Sequence, residues 1–307
     1  MSLVIAACSS RKSQPAEACA RAIPSASLDQ FGKQWLSSLA NAPRHVASSL
    51  YGGRSAREAG QSARSLNGEL VYASAGLGWV SAKAEIPSYS LTVAPGCDDV
   101  LDRLNDVDRT TQWWSWICER SPYSSNIFEL ATSTVGPIVV ALPRRYLEMV
   151  GPSLLELGQR HGDRLRIIGR QRTGGGDLGL SPWTIDYDDR LDAPESGRSG
   201  TLSDFAARGA RHFIEAILLG HEHLGIIEHR ALVDGALGQW VAPKRIAGRR
   251  LSDSDVKHHI NQEWAAANGR STKILRILRD ELGVACEQGR FKRLAASVRA
   301  EMEETIA

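Results

Sequence analysis

At 307 residues, with 42% hydrophobic and 23% charged residues and a formal charge of +2, the chain has the composition of an ordinary folded protein. It has room for two domains, or for one domain with a sizeable appendage. That balance excludes dominant disorder, no apolar run reaches the length of a membrane span, and the stretch 3–8 is too short and lacks the basic flank of a signal peptide. Cys8, Cys19, Cys97, Cys118 and Cys286 are scattered singly, which argues against a disulfide framework or a zinc ribbon, so the expected setting is cytoplasmic with free thiols.

Periodicity and breakers place the elements in order. A buried strand is predicted over 2–7, helices over 28–39 and 56–66, and further short apolar strands over 69–74, 138–142 and 165–169. The stretch 98–118, with Trp113, Trp114 and Trp116, reads as a helix. Strands alternating with helical stretches predict an α/β fold with a mixed or parallel central sheet flanked by helices. From 172 to 201 the chain turns Gly-rich and acidic, as in Thr173-Gly174-Gly175-Gly176-Asp177 and Asp186-Tyr187-Asp188-Asp189-Arg190, and reads as a long loop before a helix over 205–219. The expected organisation is a core over 1–171, a loop and helical extension over 172–240, and a basic helical segment over 241–307.

That last segment carries 13 Lys and Arg against 9 Asp and Glu, whereas the first 240 residues carry 24 against 26. A helix opens at Ser252-Asp253-Ser254-Asp255, a second follows Ser271, and a third begins near Ala285 after Leu282-Gly283. The arrangement is that of a helix-turn-helix, with Lys273, Arg276, Arg290, Lys292 and Arg293 as candidate contacts to DNA phosphates. A three-helix bundle with solvated charges fits the same pattern.

Three short motifs stand where a buried run meets a loop, the place where an open α/β sheet builds its ligand crevice. Cys8-Ser9-Ser10-Arg11-Lys12 brings hydroxyls and two cations to the end of the first strand. Tyr51-Gly52-Gly53-Arg54 sets an aromatic ring and a cation beside accessible backbone, and Ser74-Ala75-Gly76-Leu77-Gly78 is a glycine turn without the spacing of a dinucleotide fingerprint or a P-loop. Each also suits a polar cap or a turn. His221-Glu222-His223, with His212 and His229 nearby, lacks the spacing of a zinc helix, and Gly-x-Ser-x-Gly is absent. Neither a metal nor a cofactor is expected.

In this order, with Ile86-Pro87-Ser88-Tyr89 following, the motifs resemble a bacterial family reading approximately CSKRK, LYxG, SAKYGL and IPPY. That family is similar to YaaA-like proteins and to the uracil-DNA-glycosylase-like domain attached to archaeal tRNA-guanine transglycosylases. The likeness covers roughly residues 1–170, and the lysine and tyrosine of SAKYGL are lost here at Gly76, Leu77 and Gly78. The chain also resembles the Brig-type anti-phage DNA glycosylases, which remove glucosylated hydroxymethylcytosine.

The resemblance implies cleavage of an N-glycosidic bond in double-stranded phage DNA carrying modified bases, with a non-catalytic DNA-binding protein or a tRNA base-exchange or editing enzyme as alternatives. The oligomeric state is left open. An oxocarbenium-like sugar needs a nearby carboxylate, and an extruded base needs an aromatic surface. Glu85 and Asp204 are the candidate catalytic acids, although Asp204 also fits a capping box with Thr201. Tyr51, Tyr89 and Trp79 are candidate stacking rings, for each of which core packing is the commoner use. Asp188, Asp189 and Arg190 are possible lining residues in what reads as a wet acidic loop.

Overall fold

The computed structural model describes residues 1–107, 109–170, 178–244 and 248–306. Its chain divides into two compact units, Met1–Pro243 and Lys244–Ala307. The Gly-rich run 173–177 lies outside the described residues.

The first unit is built on a mixed six-stranded sheet. Its strands are β1 (Leu3–Ala7), β2 (Glu69–Ser74), β3 (Gly78–Ser81), β4 (Ile138–Ala141), β5 (Leu165–Arg170) and β6 (Thr184–Tyr187), in spatial order β3-β2-β1-β4-β5-β6. All pairs are parallel except the β2–β3 hairpin, and Leu3 of β1 stands in register with Glu69 on one side and Ile138 on the other. Every residue of β1 and β4 is buried, which is why these strands read as unbroken apolar runs rather than alternating ones.

Helices flank the sheet: α1 (Leu28–Leu39), α2 (Gly53–Ser65), α3 (Thr110–Arg120), α4 (Ile127–Ser133), α5 (Arg144–His161), α6 (Phe205–His212) and α7 (Ile226–Leu237). Helix α2 packs on β1 and beside α6, which lies on β4 and β5. Its neighbour α6 approaches the sheet closely because a Cβ at Gly209 would stand 2.9 Å from Ile168.

Three predicted boundaries need correction. The helix expected over 98–118 begins only at Thr110, because the Leu101–Arg103 turn and its neighbours are held in irregular structure by Asp98 and Asp99. The stretch read as loop and extension supplies β6, so residues after 171 complete the sheet. The helix predicted over 205–219 is α-helical to His212 and continues as a π-helical turn, Phe213–Leu218.

The second unit has its own apolar core, centred on Val256, Ile260, Ile274, Leu278, Phe291 and Leu294. It holds α8 (Asp253–Trp264), α9 (Ser271–Arg276, continued by the π turn Ile277–Glu281) and α10 (Gln288–Ile306). The third helix starts three residues later than expected, because Val284 pairs with Arg249 and Ala285 donates to the Arg249 carbonyl.

Candidate functional site at the carboxyl edge of the sheet

The strand order reverses between β1 and β4, so the carboxyl ends of these two strands flank the topological switch point of the sheet. The loops after β1, β2, β4 and β5 therefore emerge on one edge, and the sequence motifs do meet there. They meet as a packed knot. The Tyr89 hydroxyl is hydrogen-bonded to Ser74 Oγ at 2.5 Å and to the Tyr51 hydroxyl at 2.9 Å, and all three residues are buried. Burial, the largest influence, pushes both phenols above their ordinary range, so they stay neutral.

The glycine turn after β2 faces inward. The Trp35 indole donates to the Gly76 carbonyl at 2.7 Å, and Trp113 donates to that of Ala75 at 2.7 Å. A Cβ at Gly76 would lie 2.7 Å from the Tyr89 ring, so glycine is there to admit an aromatic ring of the core and not a ligand. Trp79, the third candidate stacking ring, is buried edge-on against Trp114 at 4.8 Å. Tyr51, Tyr89, Ser74 and Gly76 thus form the floor beneath the edge of the sheet.

The loop after β1 lies over the start of α2. Gly52 donates its amide to the Arg11 carbonyl at 2.8 Å, and Gly53 takes a φ of +88°, which favours glycine; a Cβ there would stand 3.8 Å from the Arg11 side chain and 3.9 Å from Ser9 Oγ. Ser9 accepts from the Arg11 amide at 3.0 Å, while Ser10 and Arg11 are exposed. Lys12 is half-buried, its ammonium 4.1 Å from the centre of the Tyr89 ring and 3.0 Å from the Ser9 carbonyl. Arg54 is drawn away from this loop: it donates to the Ser199 carbonyl at 2.5 Å and pairs with Glu58 at 3.3 Å.

Neither candidate carboxylate joins this knot. Glu85 is exposed on a short antiparallel ribbon opposite Val46, where it makes no side-chain hydrogen bond or ion pair among the described residues. Asp204 closes the capping box with Thr201, accepting from its amide at 3.0 Å, and pairs at 2.5 Å with the fully buried Arg208. Arg208 also reaches Asp192 at 2.8 Å, so Asp204 is held in a structural charge cluster. Asp188 caps the turn at Arg190 and pairs with it, which makes both structural.

An open cavity of about 840 Å³ lies on the same edge, beyond the ends of β4, β5 and β6. Arg144, Arg145 and Tyr146 from the first turn of α5, Arg170 from β5 and Asp186 from β6 line it. The α5 N-cap is Pro143, which offers no capping side chain, and its carbonyl accepts from the Tyr146 and Leu147 amides at 2.9 and 3.0 Å. Arg145 donates to the Val93 carbonyl at 3.4 Å, and Arg144 pairs with Glu148 at 2.8 Å. The Arg170 guanidinium pairs with Asp189 at 2.5 Å and lies over the Phe205 ring at 5.2 Å, while its Nε is buried without a hydrogen-bond partner. Asp186 is exposed to the cavity and makes no ion pair among the described residues.

Tyr146 joins the cavity to the knot, its hydroxyl 3.2 Å from Cys8 Sγ at the end of β1. These cavity residues were missed by the sequence reading. A signal existed: Pro143-Arg144-Arg145-Tyr146 follows an apolar strand just as Cys8-Ser9-Ser10-Arg11-Lys12 does.

In the second unit Arg290 is committed to structure, pairing with Asp253 at 2.5 Å and donating to the Leu251 carbonyl at 2.8 Å. Lys273 donates to the Ala266 carbonyl at 3.0 Å, whereas Arg276, Lys292 and Arg293 are exposed and make no side-chain hydrogen bond or ion pair among the described residues. On α10 the exposed positions 292, 293, 296, 299 and 300 share one face, which carries the cations Lys292, Arg293 and Arg299 with the alanines Ala296 and Ala300.

Of the histidines, His229 is fully buried, accepting from Arg166 at 3.0 Å while its other ring nitrogen meets the His221 carbonyl, also at 3.0 Å. Among the described residues no group of three or more His, Cys, Asp or Glu is arranged to hold a metal ion. Among them, too, no helix is long and apolar enough to cross a membrane. No family model, curated protein or solved structure matches the chain.

Proposed function

We propose that the protein is a DNA N-glycosylase that draws a modified nucleotide into the crevice between β4, β5 and β6. The carrying observation is the crevice itself, a cavity of about 840 Å³ at the carboxyl edge, ringed by Arg144, Arg145 and Arg170. Its size lies within the usual range of about 300–1,000 Å³ for ligand pockets and accommodates a flipped nucleotide. Planar guanidiniums suit the phosphates on either side of that nucleotide.

Chemistry in such a site needs charge stabilisation at the sugar more than a cofactor. As the glycosidic bond breaks, positive charge grows on the sugar ring, and a carboxylate beside it lowers the barrier or orients the attacking water. Asp186 takes that role in place of Glu85 and Asp204, being the cavity carboxylate without an ion pair among the described residues. Motif likeness supplies the finer assignment: glucosylated hydroxymethylcytosine in phage DNA, excised in the cytoplasm as an antiviral defence. The exposed cations of α10 serve as a second, sequence-independent hold on the duplex.

A non-catalytic DNA-binding role is the second reading, favoured by the closed Tyr51–Tyr89–Ser74 knot, which leaves those rings no face for a base. Incubation with duplexes carrying glucosylated, hydroxymethylated or unmodified cytosine separates the two. The proposal expects free base and alkali-labile strands from the glucosylated duplex, with turnover falling at least 100-fold in Asp186→Asn while binding persists. Retention of every duplex without base release supports the second reading, and release from tRNA alone overturns the DNA assignment.

A further inference from the structure

Lys12 is a charged group that the glycosylase reading leaves unused. Its amine sits just past the carboxyl end of β1, where residue 12 is bridged to Tyr51 by backbone pairing, and it donates to the Ser9 carbonyl at 3.0 Å. No carboxylate lies within 4 Å of it among the described residues. The rings of Tyr89 and Tyr51 stand 4.1 and 5.6 Å away, and their phenols are held neutral by burial, so neither supplies a counter-charge. Burial lowers the lysine pKa, an effect that Cys8 only partly opposes. A half-buried amine on an aromatic floor, without an acidic partner, is the arrangement that activates lysine toward carbonyl carbon.

Lys12 is not among the residues that line the cavity, but the segment that carries it touches one that is. Cys8 precedes it on the same loop and is hydrogen-bonded to Tyr146, which lines the cavity. A deoxyribose that has lost its base at the crevice opens to an aldehyde, and its C1′ is the carbonyl such an amine attacks.

We propose that Lys12 forms a Schiff base with abasic DNA, giving the protein a strand-cleaving lyase activity. This rests on the DNA reading above and extends it to the product. The amine lone pair attacks C1′ of the open aldehyde and water departs, leaving a protonated imine. A base then removes a C2′ proton, the C3′–O bond breaks, and the 3′ phosphate leaves with its electron pair. Hydrolysis of the unsaturated imine returns the free lysine.

The experiment uses a duplex oligonucleotide with one preformed abasic site, so base release is not needed. Mixed with the full-length protein and sodium borohydride, it is expected to give a covalent protein–DNA adduct on a denaturing gel. Lys12→Ala and Lys12→Arg are both expected to lose at least nine-tenths of it. The arginine variant keeps the cation over the Tyr89 ring, and thermal unfolding reports whether each variant is folded. An undiminished adduct in folded Lys12→Arg overturns the assignment to Lys12. Absence of any adduct from the wild type overturns the lyase, even if the modified duplex still loses its base. Trapping without base release leaves the lyase standing and overturns the glycosylase reading alone.

Discussion

His212 shows how a single buried side chain ties stability to pH. Its ring meets the Tyr187 hydroxyl at 2.8 Å and lies edge-on to Trp240 at 5.2 Å. Burial, reinforced by the positive Arg198 and partly opposed by Glu215, lowers its pKa from 6.5 to about 4. The folded protein therefore resists a proton that the unfolded chain accepts. Stability from this residue is complete above pH 6.5 and is lost as the pH falls from 6.5 toward 4, by up to about 3 kcal/mol. Urea midpoints at pH 7.5 and 5 are expected to differ accordingly, with a shallower pH dependence in His212→Gln. An unchanged slope in that variant would show that other groups govern the acid sensitivity.

At the scale of elements, the segment 192–204 is bound to α2 and α6 by charge. Arg54, Glu58, Arg198, Arg211 and Glu215 form a partly buried network, with Asp192, Asp204 and Arg208 at its inner end. Removing Asp204 leaves a buried guanidinium short of one partner and the Thr201 amide without its acceptor, a loss of about 3–5 kcal/mol. Asp204→Ala is expected to melt well below the wild type, yet to release base at the same rate per folded molecule. A catalytic defect in the folded fraction would return Asp204 to the chemistry. The same elements show what was legible in the chain. Strands β1, β2, β4 and β5 declare themselves as apolar runs because both faces are covered. β6 does not, since Thr184-Ile185-Asp186-Tyr187 alternates and lies within an acidic stretch. The motifs after β1 and β2 do come together at the carboxyl edge of the sheet. Their aromatic and glycine residues belong to its floor, because the sequence does not reveal that Trp35 and Trp113 bind the turn from below.

On the scale of the whole molecule, two units divide the proposed work. Unit Met1–Pro243 holds the crevice, and unit Lys244–Ala307 presents the cationic face of α10. Phosphate contacts of the kind proposed for Lys292 and Arg293 are independent of base identity. The double substitution to alanine is thus expected to weaken binding to all duplexes alike and to reduce the slope of log K against log salt by about two. A slope equal to that of the wild type would remove α10 from the interface. The central claim is that the target nucleotide enters the crevice and not the surface over α2. Amide hydrogen exchange in Asp186→Asn, with and without a duplex bearing one glucosylated hydroxymethylcytosine, tests it most directly. The account expects slower exchange in the first turn of α5, Arg144 to Glu148, and around Leu202 to Ala206. Unchanged exchange there, with protection confined to residues 9–12 and 51–54 or to the second unit, would contradict it.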